Sequence, residues 1–145
     1  MKPPHRSPLR LLFVCVENAN RSQMAQAYAR LIGGEHVEAY SAGSRPSGRI
    51  NPRAVAAMAE EGYDLAEHSS TSLDDLPDLQ FDLVVTMGCG DACPFVAARR
   101  REDWQIPDPR QMPAAEFREV RNLIKEKVGS VLAALDAADA PEGPR

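Results

Sequence analysis

The chain has 145 residues, 43% of them hydrophobic and 26% charged, with a formal net charge of −4. That length suits one α/β domain with a sizeable core and is too short for two ordinary domains. No acidic or basic block stands out, which argues against nucleic-acid or membrane-surface binding, since both ask for a basic excess on one face. Any anion the protein handles is bound locally.

The first ten residues, MKPPHRSPLR, are basic and proline-rich, but the apolar run behind them reaches only from Leu11 to Val16 before Glu17 and Asn18 interrupt it. Such a run is too short for a signal-peptide core or a membrane-spanning helix, so a cytoplasmic location is expected. Residues 1–8 are expected to be a flexible extension ahead of a single domain over 9–135. Residues 9–14, LRLLFV, predict a strand, and Cys15 to Arg21 a polar loop. From Ser22 the spacing becomes helical, with Met24, Ala25, Tyr28, Leu31 and Ile32 on one face and Gly33-Gly34 as the stop.

Val37 to Ala42 alternates as a second strand ending at Gly43, and SRPSGRINP is a loop. Pro52 suits the first turn of a helix that continues over Ala54 to Glu61 and closes at Gly62. Leu65 to Leu76 reads as a loop with one short helix, Ser72 standing three residues before Asp75 in capping-box spacing. Phe81 to Met87 is the most strand-like segment of the chain. Residues 99–113, with prolines and aromatics among charges, predict an irregular loop. Ala114 to about Leu135 is the longest helix, with Phe117, Val120, Ile124, Val128, Val131 and Leu135 at spacings of three and four. The last ten residues, 136–145, are expected to be a disordered tail.

Strands alternating with helices imply a three-layer α/β sandwich around a mostly parallel sheet, with ligands beyond the carboxyl ends of its strands. Cys15 and Cys89 both lie just past such an end. A cysteine and an arginine six positions apart on a strand-to-helix turn suit a tetrahedral oxyanion. The loop Cys15, Val16, Glu17, Asn18, Ala19, Asn20, Arg21 can aim successive backbone N–H groups at its oxygens, and the following helix adds its positive end. Arg21 can make a two-pronged contact, and the positive surroundings favour the thiolate of Cys15 as a nucleophile. Ser22 can donate to that thiolate and Asn18 can brace the loop.

CVENANRSQMA resembles the active-site motif of the low-molecular-weight tyrosine phosphatase superfamily: Cys15, five residues, Arg21, with Asn18 fourth and Ser22 after the arginine. Its continuation Ser22-Gln23-Met24-Ala25, together with VVTMGCGDACP and EDWQIPDP, is similar to the arsenate-reductase branch of that superfamily. The resemblance spans residues 10 to 135. It implies a four-stranded sheet, a general-acid role for Asp108 between Pro107 and Pro109, and a thiol–disulfide relay in which Cys89 attacks Cys15 and Cys93 moves the disulfide to the surface. It also implies arsenate or phosphate as the bound oxyanion and an external thiol reductant: thioredoxin, or glutathione or mycothiol with a glutaredoxin-type protein. No bound cofactor is expected.

Three readings remain beside the first. A phosphotyrosine phosphatase needs only Cys15, because water hydrolyses its phosphocysteine; against it, Arg110 follows Asp108-Pro109 where an aromatic residue often lines a phosphotyrosine cleft, and position 20 is Asn20 where a second cysteine is often found. A zinc site on Cys89 and Cys93 finds only His5, His36 and His68 scattered elsewhere, so no metal is expected. A non-catalytic oxyanion sensor would not need the full set of catalytic residue types. Arg45, Arg49 and Arg53 read as a solvated face, Trp104 as packing beneath the Asp108 loop, and His68 as a surface or helix-end residue. Gln26 stands where the reductases carry a glutamate associated with a monovalent-cation site.

Overall fold

The computed structural model describes residues 8–88 and 96–139. Its strands are β1 (Leu9–Cys15), β2 (Val37–Gly43), β3 (Phe81–Thr86) and β4 (Ala98–Asp103), and its α-helices are α1 (Arg21–Gly33), α2 (Pro52–Ala59) and α3 (Ala114–Asp139). All strand pairings are parallel, in the order β2-β1-β3-β4.

The central strand β1 is apolar on both faces because both are covered. Leu9, Leu11, Phe13 and Cys15 join Leu83 and Val85 in the larger core, under Met24 and Tyr28 of α1, Met58 of α2 and Ile124 and Val128 of α3. Leu12, Val14 and Val84 turn to the opposite face, where Leu73, Leu76 and Leu79 cover them. The connections leave β1 toward β2 on one side and return to β3 on the other, so a crevice opens beyond the ends of β1 and β3. The register sets Cys15 beside Gly43, and the Met87 amide donates to the Val14 carbonyl at 2.9 Å. The ends of three strands therefore meet at Cys15.

Four expectations change. The segment expected to be irregular from residue 99 begins with β4, whose sequence is ARRRED. Charged residues are depleted in strands, yet an edge strand tolerates them because its outer side faces water. Here Arg99 pairs with Asp82 and Arg100 with Glu102. Leu31 and Ile32 are 46% and 47% exposed, since the buried face of α1 ends at Ala29. The region 65–76 holds two single 3-10 turns, Leu65–Glu67 and Leu73–Asp75, and Ser72 caps the second through the Asp74 amide. Helix α3 runs to Asp139, past the expected end at Leu135, because Ala137 and Ala138 favour helix and no breaker comes before Pro141.

Helices α2 and α3 are tied through Glu60. Arg118 contacts its carboxylate at 2.9 to 3.2 Å through Nε and Nη2, and Arg121 reaches it at 2.6 Å. Those hydrogen bonds hold the Glu60 carboxyl at about 2, against an ordinary 4.5. A carboxyl pulled down in the folded state stabilises above its unfolded value and loses that contribution as pH falls toward the folded one. Glu60→Gln is thus expected to lower the urea midpoint at pH 7, and the gap to wild type to close between pH 4.5 and about 2. A gap that stays constant over that window would refute the assignment.

Candidate active site

The loop after β1 is shaped by what holds its carbonyls. Val16 accepts from the Arg45 amide at 2.8 Å, and Glu17 from the Ser47 amide and Ser70 Oγ, both at 3.0 Å. Asn18 accepts from Gln23 Nε2 at 3.0 Å, Ala19 from the Asn51 amide at 3.1 Å and Asn20 from the Met24 amide at 2.9 Å. In a planar trans peptide the following N–H points opposite to the carbonyl. Five outward carbonyls therefore turn the amides of residues 17–21 inward, and those of 17–20 have no acceptor among the described residues. A ring of donors at the start of α1 has the chemistry to hold a tetrahedral anion.

Two backbone features make the curl feasible. Asn18 has φ of 52°, a left-handed conformation that asparagine tolerates better than most residues. Gly43 supplies room: a Cβ there would stand 2.5 Å from the Val16 carbonyl oxygen and 3.1 Å from the Asn18 amide. Asn18 is fully buried and Asn20 is 7% exposed, with the Asn20 side-chain carbonyl lacking a partner among the described residues.

Cys15, 3% exposed, lies with its Sγ 2.8 Å from Ser22 Oγ, and Asn18 Nδ2 donates to the same hydroxyl at 2.8 Å. The expected Ser22-to-Cys15 contact is present, and the Asn18 side chain bridges Ser22 and the Thr71 amide. Arg21 is half-buried, and its Nη1 donates to the Met87 carbonyl at 2.7 Å and the Ile106 carbonyl at 3.0 Å. One edge of the guanidinium is therefore pinned to the end of β3 and to the segment after β4, leaving Nε and Nη2 for a two-pronged contact with an anion. Trp104 is buried against Phe13 at 6.0 Å between ring centroids, and Ile106 is buried beside it, so the expected packing beneath the Asp108 loop is present.

Asp108 is exposed, with one carboxylate oxygen accepting the Arg110 amide at 3.0 Å. Arg110 also pairs with Glu17 of the loop at 2.8 Å and lies 3.9 Å from the second Asp108 oxygen. That arginine links the Asp108 segment to the oxyanion loop, a part the sequence reading did not assign it. Cys89 and Cys93 lie outside the described residues. Of the arginine cluster, Arg45, Arg49 and Arg53 are all exposed as expected, and Arg53 also donates to the Met112 carbonyl.

The sequence reading also missed Gln23 and His68. Gln23 Nε2 reaches Asn18 twice, at its carbonyl and its Oδ1, and the Ser69 carbonyl at 3.0 Å, while its Oε1 lies 2.8 Å from His68 Nδ1. Gln23 is a partner of the loop, and His68 is a partner of Gln23. No local signal marks them, because Gln23 resembles any polar helix residue and His68 stands 45 positions away. Gln26 is buried and satisfied by the Ala39 carbonyl and the Ser41 hydroxyl.

Residues 10–140 match the family model described as low molecular weight phosphotyrosine protein phosphatase. The chain is 39% identical over 124 residues to arsenate reductase 2 of Staphylococcus haemolyticus, covering 83% of this chain and 93% of that protein. A solved structure described as an arsenate reductase in the phosphate binding state superposes with a TM-score of 0.80 at 33% identity, covering 87% of this chain and 98% of the other. The thioredoxin-dependent arsenate reductase Cg_ArsC1' of Corynebacterium glutamicum superposes at 0.75 with 29% identity, over 92% of this chain and 65% of that one.

Proposed function

The chain belongs to the low-molecular-weight phosphotyrosine protein phosphatase family, and from that premise we infer that it is an arsenate reductase, drawing electrons from an external thiol reductant. The observation that carries the reading is a donor-lined loop around Cys15 in a chain whose likeness to arsenate reductases extends over most of its length. The same loop accepts phosphate as readily as arsenate, since the two match in charge and shape. Arsenate is the substrate because the kinship runs to the reductases.

In the mechanism proposed, arsenate sits in the ring of loop amides with Arg21 across two of its oxygens. The Cys15 thiolate, its charge supported by the Ser22 hydroxyl, attacks arsenic. One As–O bond breaks and Asp108 protonates the departing oxygen, which leaves as water. The Cys89 thiolate then attacks Cys15 Sγ: the S–S bond forms, the S–As bond breaks, and its electron pair stays on arsenic, giving arsenite. Cys93 attacks Cys89, freeing Cys15 and leaving a Cys89–Cys93 disulfide, which a dithiol of the thioredoxin type reduces. Two electrons enter and two reach arsenic.

Supplied with thioredoxin, thioredoxin reductase and NADPH, the wild-type protein is expected to oxidise NADPH only when arsenate is added, and to hydrolyse an aryl phosphate far more slowly. Rapid aryl-phosphate turnover with no arsenate-dependent NADPH loss would return the protein to the phosphatases.

A further inference from the structure

The segment that carries Asp108 is held against the oxyanion loop without help from the Arg110 side chain. Arg21 donates to the Ile106 carbonyl at 3.0 Å on one side of Asp108, and Arg53 donates to the Met112 carbonyl on the other. Between them the Met112 amide closes a turn onto the Pro109 carbonyl at 2.9 Å. Asp108 itself is oriented by main chain, because its Oδ1 accepts the Arg110 amide at 3.0 Å, a bond that any residue except proline would supply at that position. Arg110 Nε, 3.9 Å from Asp108 Oδ2, is beyond hydrogen-bond reach of the carboxylate. The short contact of the guanidinium is with Glu17 Oε2, at 2.8 Å.

Glu17 is the second residue after Cys15, and its carbonyl is fixed by the Ser47 amide and Ser70 Oγ, both at 3.0 Å. The ion pair therefore runs from the oxyanion loop to the flank of Asp108, across the side from which a leaving group departs. In arsenate the oxygen that Asp108 protonates carries at most a hydrogen. In a phosphate ester it carries the whole organic group, which must then lie where the pair lies. We propose that Arg110, through its ion pair with Glu17, is a specificity-determining residue that favours free tetrahedral oxyanions over organic phosphate esters. The proposal rests on the oxyanion loop and the acid role of Asp108 given above, and adds the residue that selects among the anions they accept. Charge works in the same sense, since Glu17 alone would repel an incoming dianion and the pair is neutral. Both side chains are partly exposed, 53% for Arg110 and 42% for Glu17, so opening the pair costs a factor of about five at most. The selection is a bias, not a block.

Protection of Cys15 from iodoacetamide, followed on the full chain by mass spectrometry of its peptide, gives the affinity of each anion without requiring turnover. The probes are inorganic phosphate, methylphosphonate and phenylphosphonate, whose carbon takes the place of the leaving oxygen. Arg110→Ala is expected to improve phenylphosphonate relative to phosphate by about fivefold, and methylphosphonate by less. Arg110→Lys, which keeps an ion pair with Glu17, is expected to hold the wild-type ratio. In wild type, raising salt from about 0.05 to about 0.5 M screens the pair and is expected to shift the ratio toward phenylphosphonate, with no shift in Arg110→Ala. A ratio unchanged in Arg110→Ala, or raised equally in Arg110→Lys, overturns the proposal alone. So does an unchanged ratio accompanied by a tenfold fall in arsenate kcat, which would make Arg110 a positioning residue for Asp108. Failure of inorganic phosphate to protect wild-type Cys15 removes the oxyanion site, and the reductase reading with it.

Discussion

Replacing Cys15 by serine is expected to abolish arsenate-dependent NADPH oxidation and aryl-phosphate hydrolysis together, each by at least about 10⁴-fold, whereas Cys89→Ser is expected to abolish only the first. The reason is the electron balance. Transfer of the oxyanion to sulfur is a group transfer and consumes no electrons, so every activity of the loop needs the Cys15 thiolate. A hydroxyl at position 15 would sit in the same ring of amides but stay protonated at neutral pH. Expelling arsenite is different, because the S–As bond must give its electron pair to arsenic while another sulfur captures Cys15. Without Cys89 the adduct is stranded. A phosphocysteine needs only water, so aryl-phosphate hydrolysis is expected to stay within about threefold of wild type. Loss of both activities in Cys89→Ser would make that residue part of the loop's own chemistry. Retention of both would remove it from the relay and leave Cys93 as the candidate that captures Cys15.

The contrast between these two cysteines and the residues around them explains how much of the site is legible in the chain. Cys15, Asn18, Arg21 and Ser22 fall within eight positions, so the spacing alone expresses their geometry, and the contacts of Ser22 with Cys15 and Asn18 match that reading. The central strand was equally legible, because burial on both faces writes itself as an unbroken apolar run. Strand β4 was not. An edge strand's identity lies in its partner, and Arg99, Arg100 and Glu102 acquire strand geometry only from the backbone of β3. Thr71 and Gly43 act on the loop from 25 to 53 residues away, one as a backbone amide donor and the other as empty space, and His68 reaches its partner Gln23 from 45 residues away. Nothing in the local sequence distinguishes a histidine bonded to Gln23 from one on the surface.

Arg21 is the residue where a local motif and a distant tether meet, and Arg21→Lys tests both. The guanidinium spends one nitrogen on the Met87 and Ile106 carbonyls, and that anchoring fixes the plane in which Nε and Nη2 remain. A lysine keeps the positive charge, but its ammonium is a single point on a flexible stem. It can bind the two carbonyls at the edge of the crevice or swing in to the anion, and it cannot do both in the fixed plane of a fork. The expected result is a fall in kcat/KM for arsenate of about 10² to 10³, comparable to the loss of a preorganised oxyanion donor. Competitive inhibition by phosphate should weaken in parallel, since the ground-state tetrahedral anion uses the same fork. Thermal stability should drop only slightly, because the lysine ammonium can still donate to the Met87 and Ile106 carbonyls. An Arg21→Lys enzyme within threefold of wild type in both kcat/KM and phosphate inhibition would show that positive charge alone suffices, and would dismiss the two-pronged contact from the mechanism.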